Sequence, residues 1–232
     1  MDFTNHKICR LFTINGYTVY MTQSILGTWI VMAVLIVFAV IVRYKMAGFK
    51  ESPEPGSLQN LIELMVETMH NMAESNLGKD LSWLGGYFFS VFAFILLCNY
   101  SPLFKLRPPT ADLATTLALA LNTFFLIHFL GFKRRKLEYL KEYLKPIFLF
   151  LPMNIIGELS RPVSLSFRLF GNLLGGTIML DLVYVSLPLL LRIGLPSFLH
   201  IYLDVFVGAL QAFIFCVLSM TFINEKASLK ED

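Results

Sequence analysis

Residues 158–176 read ELSRPVSLSFRLFGNLLGG. The run is apolar and helix-like, yet it carries two arginines, Arg161 and Arg168, against one carboxylate, Glu158. At 100° per residue, Asn154, Arg161, Ser164 and Asn172 fall within about 40° of Arg168 and Glu158 about 80° away, so one polar stripe follows an oily helix. The surrounding apolar stretch, residues 152–187, would be about 54 Å long as a single helix, against a hydrocarbon core of about 30 Å. Such a helix must tilt steeply or break. Pro162 is the candidate kink, and Gly171, Gly175 and Gly176 offer a surface without side chains for a neighbouring helix.

Composition fixes the setting of that helix. The 232-residue chain is 56% hydrophobic, 14% aromatic and 15% charged, with a mean hydropathy of +0.66. Those values are too apolar for a soluble domain. They predict an all-α integral membrane protein with about five membrane helices plus interfacial amphipathic helices. The expected spans run from about Ser24 to Val42, Leu81 to Cys98, Leu113 to Phe132, Ile147 to Leu191 (more than twice a normal span), and Phe198 to Ile223. SPEPG (52–56) breaks the chain after the first span. SLQNLIELMVETMHNM (57–72) then sets Leu58, Leu61, Ile62, Met65, Met69 and Met72 at helical spacing,. KRRKLEYLKEYLKP (133–146) is a second interfacial segment, basic enough to lie against anionic headgroups,.

The chain reads as one membrane domain, 1–232. It comprises an outer N-terminal segment (1–23), peripheral helices and connectors (24–145), an ion-conducting helical hairpin (146–224) and a tail (225–232). On a five-span topology, twelve of the 19 Lys and Arg residues fall on the side of the C-terminus and five on the other, leaving the two embedded arginines. The positive-inside rule then places the N-terminus outside and the C-terminus in the cytoplasm. The first apolar run is too long for a signal h-region and lacks a small-residue cleavage site, which predicts that it stays in the mature protein. The net charge of +3 is small and the cations gather at segment ends, so nucleic acid is not an expected partner,.

Arg168 stands near the middle of the long apolar stretch, where an arginine costs about 2.5–3.5 kcal/mol on insertion scales. Glu158 is about 15 Å away along the axis. Asp181 is about 20 Å away on nearly the opposite face, so neither can pair with Arg168. Folding the last helix back about Arg192 brings Gln211 toward Arg168, and His200 and Asp204 toward Asp181. On the last helix His200, Asp204, Gly208 and Gln211 share one face. Gln211 can hydrogen-bond a guanidinium but cannot neutralise it, so the answering carboxylate is expected from another chain. Arginine is a poor proton relay and a good fixed charge. Asp181, His200 and Asp204 are titratable and clustered toward the outer face, which suits an access path, and Glu158 with Asn154 and Ser160 suits a second path from the cytoplasmic side.

SRPVSLSFRLFGNLLGG (160–176) resembles the signature of subunit a of F-type ATP synthases, the membrane stator that faces a rotating ring of c subunits. RPPTADLATTLALAL (107–121) and LQAFIFCVLSMTFI (210–223) extend the resemblance, which covers most of the chain from about Ser24. It implies that Arg168 is the essential stator arginine, that Asn172 and Gln211 lie beside it, and that a ring carboxylate visits it during rotation. The implied partners are the c-ring, a b-subunit peripheral stalk, a soluble ATPase head and the lipid bilayer. The implied role is H⁺ or Na⁺ translocation through two aqueous half-channels, coupled to rotation and to ATP synthesis or hydrolysis. The chain departs from some relatives. Thr177 stands where certain bacterial members carry glutamate, with Asp181 one turn on. Asp204 stands where some carry histidine, with His200 a turn earlier.

Other features point to packing. Cys9, Cys98 and Cys216 are scattered and read as small core hydrophobes. His6, His70 and His128 lack ligand spacing, so no metal site or cofactor is expected. There is no Walker A pattern or nucleophilic triad, and the chain is not expected to be an enzyme alone. Asp112 is placed to cap the third span, and Asn122 to hydrogen-bond a neighbouring helix. A secondary transporter binding an anionic solute at Arg168 is the alternative, but no internal repeat is visible. A purely structural scaffold would not need a central arginine with titratable groups on either side. A bacterial plasma membrane is expected, with an organelle inner membrane less favoured.

Overall fold

The computed structural model describes residues 7–14, 17–46, 58–104, 106–143, 148–186, 188 and 194–227. The SPEPG break, Pro146, the turn expected about Arg192 and the end of the tail lie outside the described residues. The chain is a succession of helices: α1 (Gln23–Met46), α2 (Leu58–Leu77), α3 (Gly85–Tyr100), α4 (Leu113–Tyr143), α5 (Leu151–Ser186), α6 (Leu195–His200) and α7 (Gly208–Ala227). A π-helical segment, Ile201–Val207, joins α6 to α7. Among the described residues five stretches are long and apolar enough to cross a membrane: Gln23–Met46, Lys79–Phe104, Leu113–Lys136, Leu151–Ser186 and Pro196–Ala227. They coincide with the five expected spans.

Two features were not expected. The N-terminal segment forms an antiparallel hairpin of β1 (Lys7–Ile14) and β2 (Tyr17–Thr22), pairing Arg10 with Tyr20 and Ile14 with Tyr17. The all-helical reading passed over Asn15-Gly16, a strong two-residue hairpin signal between the strands,. In addition, α7 runs on to Ala227, so Glu225 and Lys226, assigned from sequence to the tail, are helical.

Contacts divide the chain into two compact units. The first unites Met1–Ala47, Ala93–Thr115 and Leu169–Ala212. Here α1 rests on a 3₁₀ turn, Pro109–Ala111, and a Cβ on Gly27 would lie 3.1 Å from the Arg107 carbonyl oxygen, so glycine eases this close approach,. Asp112 Oδ1 accepts the backbone N–H of Ala114 at 3.1 Å, the expected N-cap of α4,.

The second unit unites Gly48–Phe92, Thr116–Arg168 and Phe213–Asp232. Its buried interior includes Met69, Ala73, Leu77, Leu84, Phe88, Ile127, Leu165, Phe215, Met220 and Ile223. Only the C-terminal half of α2 is so covered. Leu61, Leu64, Met65 and Val66 remain exposed, as an interfacial helix requires,. Polar contacts tie the apolar helices. Asn122 donates to Tyr87 Oη at 3.0 Å, the interhelical bond expected of it; Thr116 and Ser166 share a buried hydroxyl pair at 3.0 Å; and Cys216 Sγ donates to the Phe88 carbonyl at 3.7 Å. Helix α4 kinks at Lys136, where φ is 47°. Beyond the kink the Tyr139 ring lies against Gly131 and His128, so this part of the basic segment folds back on the span.

Candidate functional site

The long helix α5 continues through Pro162 without a break, so the polar stripe read from the sequence is realised along one helix. Its two arginines meet opposite surroundings. Arg161 lies in a charged cluster in the second unit: Nη2 is 2.8 Å from Glu225 Oε1, Nε is 3.7 Å from Glu158 Oε2, and the guanidinium lies over the Phe222 ring at 4.9 Å. Lys226 Nζ completes the cluster, 2.6 Å from Glu158 Oε1. Two carboxylates and two cations balance, which offsets the cost of withdrawing charge from water. Glu158, read from the sequence as a wall of the inner path, is therefore salt-bridged, and Lys226 is a partner that the sequence reading did not assign.

Arg168 is exposed and makes no hydrogen bond or ion pair among the described residues. Helical geometry puts Ser164, Gly171 and Gly175 within about 60° of it. Ser164 is exposed, and a Cβ on either glycine would have no atom within 4 Å. The arginine thus projects from a face made of small residues. The flank one quarter-turn round is covered, with Leu165 and Leu169 buried.

In the first unit the C-terminal half of α5 meets the π segment across a small cleft lined by Asn99, Asn172, Leu173, Gly176, Leu203, Asp204 and Gly208. Asp204 Oδ2 is 2.7 Å from His200 Nδ1, and the His200 ring lies 6.1 Å from that of Tyr184. Asp204 and His200 are thus brought together as expected, but the register differs. Sequence counting set Asp204 beside Asp181; the cleft sets it beside Asn172 and Gly176, about one and a half to two and a half turns nearer to Arg168 along α5,. Asp181 is partly exposed, one turn before Tyr184. Gln211 is buried, and its Nε2 has no hydrogen-bond partner among the described residues.

Asn99 and Tyr100 are site residues that the sequence reading missed. Asn99 donates to the Gly208 carbonyl at 3.0 Å and Tyr100 Oη to the Val205 carbonyl at 3.3 Å. The available signal was a polar pair, Asn99-Tyr100, ending an apolar run.

The family model described as ATP synthase A chain matches residues 25–224. Among curated proteins the chain is 34% identical over 225 residues to the chloroplastic ATP synthase subunit a of Stigeoclonium helveticum, covering 91% of this chain and 87% of that one. It is 35% identical over 217 residues to ATP synthase subunit a 1 of Syntrophotalea carbinolica, covering 90% and 85%. With ATP synthase subunit a of Moorella thermoacetica it shares 31% identity over 222 residues, covering 95% and 96%.

Proposed function

The chain belongs to the ATP synthase A chain family, the membrane stator subunit of ATP synthase in ion translocation, and we propose that Arg168 is the fixed charge around which that translocation runs. It is a non-catalytic membrane component, and its partners are the other subunits of ATP synthase. The carrying observation is the contrast along α5: Arg161 is held by Glu158 and Glu225, whereas Arg168 is exposed and without an ion pair among the described residues. A permanent cation in a lipid-spanning helix needs a counter-charge. The face of Ser164, Gly171 and Gly175 admits a partner helix closely, which fits a c-ring carboxylate passing the guanidinium.

On this reading Arg168 keeps the arriving carboxylate ionised and so forces it to release its ion before moving on. Because an arginine holds its own protons, it also bars a direct leak between the two half-channels. The outer half-channel is formed by Asp181, His200 and Asp204, with Asn172 joining the cleft to the arginine. The inner one opens beside Glu158, whose cluster keeps that end polar. Gln211, whose amide nitrogen is buried and without a hydrogen-bond partner among the described residues, supplies a polar group inside the bundle, on the last helix, near this path. A b-subunit stalk and a soluble head complete the machine. The charge bias supports an N-terminus on the outer side, and a bacterial plasma membrane is the setting proposed.

The test is ATP-driven ion uptake into vesicles carrying the assembled complex with Arg168→Ala, with ATP hydrolysis and subunit content followed in parallel. Loss of uptake in an intact complex is expected. Normal coupled uptake would overturn the assignment.

A further inference from the structure

We propose that Asn99, assisted by Tyr100, is a positioning residue that fixes the π segment and thereby aims Asp204 into the cleft shared with Asn172, an inference that rests on the outer half-channel reading given above. A π-helical stretch is rare and alters the carbonyl pairing at its ends, so it persists where its surroundings hold it. Two donors from the end of α3 do so. Tyr100 Oη donates to the Val205 carbonyl at 3.3 Å, inside the segment. Asn99 Nδ2 donates to the Gly208 carbonyl at 3.0 Å, immediately after it.

The amide of Asn99 has one sense only. Its Oδ1 accepts the hydroxyl proton of Thr110 at 3.1 Å, so the donating end must face Gly208,. Asn99 is 3% exposed and Thr110 is fully buried, which leaves water no place in the chain of bonds. Gly208 is part of the same lock. A Cβ there would lie 3.2 Å from Asn99 Cβ, so a larger residue would press on Asn99 and require it to give by a few tenths of an ångström.

The consequence reaches Asp204 because Asn99, Gly208 and Asp204 line one cleft with Asn172. If the π segment relaxes to an α-helix, the residues before Gly208 rotate relative to it, and Asp204 leaves the cleft with His200. The titratable groups near Asp204 are His200, bonded to it at 2.7 Å, Tyr184 against the His200 ring, and Tyr100, which donates to the Val205 carbonyl of the same segment; Asp181 stands on α5 one turn before Tyr184. Misplacing Asp204 therefore changes both how fast ions pass and the pH at which they pass.

The test compares Asn99→Leu, Tyr100→Phe and Arg168→Ala in vesicles carrying the whole complex. Uptake is driven by ATP, and passive conductance is then measured across a pH series after the soluble head is removed. Asn99→Leu is expected to lower conductance about threefold to tenfold, the equivalent of a lost net hydrogen bond, and to shift the pH of half-maximal conductance. Tyr100→Phe, which removes one hydroxyl and no volume, should shift the profile in the same direction by less. An assembled Asn99→Leu complex with an unchanged pH profile overturns the proposal, even if its conductance falls. If Asn99→Leu prevents assembly, an unchanged profile in Tyr100→Phe overturns it. Coupled uptake surviving in Arg168→Ala refutes the functional reading itself. Loss there, with Asn99→Leu unaltered, refutes this inference alone.

Discussion

Lys226 Nζ stands 2.6 Å from Glu158 Oε1, with the two side chains only 8% and 9% exposed. The contact fastens the last turn of α7 to the first half of α5. It also accounts for a lysine and a glutamate, both in otherwise apolar helices, that would be unfavourable alone.

Breaking that pair from one side strands a charge. Lys226→Met leaves the cluster of Glu158, Arg161 and Glu225 with an unbalanced carboxylate, and a loss of about 3–5 kcal/mol is expected. The double variant Glu158→Leu with Lys226→Met leaves the Arg161–Glu225 pair neutral and should recover most of it. Melting of the detergent-extracted complex reads both. A double variant as unstable as Lys226→Met would show that the pair is not the unit holding these helices.

The two arginines of α5 should fail in different ways. Arg161→Gln removes a guanidinium bonded to Glu225 at 2.8 Å, so less assembled subunit is expected, with a cost of about 1.5–3 kcal/mol for a hydrogen bond to a charged group,. Arg168→Gln removes a side chain with no partner among the described residues and should leave assembly intact while uncoupling hydrolysis from uptake. Gel quantification of the complex beside the uptake assay separates the two; equal assembly defects would contradict the contrast.

Gly131 is where the kinked end of α4 closes on the span. A Cβ there would come within 2.8 Å of the Tyr139 ring and 3.4 Å of the Lys226 carbonyl oxygen. Gly131→Ala is expected to destabilise the second unit by about 1–3 kcal/mol through overpacking, and Tyr139→Leu in the same chain should relieve it. The check is a lowered melting temperature for the single variant that rises again in the double.

Asp204 and Asp181 supply the acidic groups proposed for the outer half-channel. Replacing both by Asn preserves shape and removes the charge, so ATP-driven uptake should slow while assembly holds. Unchanged uptake in the double variant would remove both from the ion path. Asp204→Asn alone should give the larger effect, since Asp204 is the one that shares a cleft with Asn172.

Much of this arrangement was legible in the chain itself. Five apolar stretches of spanning length marked the membrane helices because hydrocarbon thickness sets their length. The Asp112 cap was readable because it depends on neighbours in sequence alone,. Arg168 stood out because a central arginine is costly wherever the helix is packed. By contrast, Asn15-Gly16 was legible but overlooked beneath the dominant helical pattern,.

What the sequence determined by itself is thus what local chemistry and the bilayer impose: the number of spans, the single polar stripe on α5 and the presence of an arginine that cannot be left alone. What only the tertiary structure decided is which charges are answered. Arg161 and Arg168 are seven residues apart on one stripe, and their spacing alone does not say which of them finds a partner. One is paired because α7 brings Glu225 and Lys226 into its cluster, and the other faces small residues and open space. The register of Asp204 against Asn172 was likewise invisible, because it depends on a π segment held by donors from α3, more than one hundred residues away in the chain. Ion pairing and π-helical register depend on distances between segments that no spacing within one helix encodes.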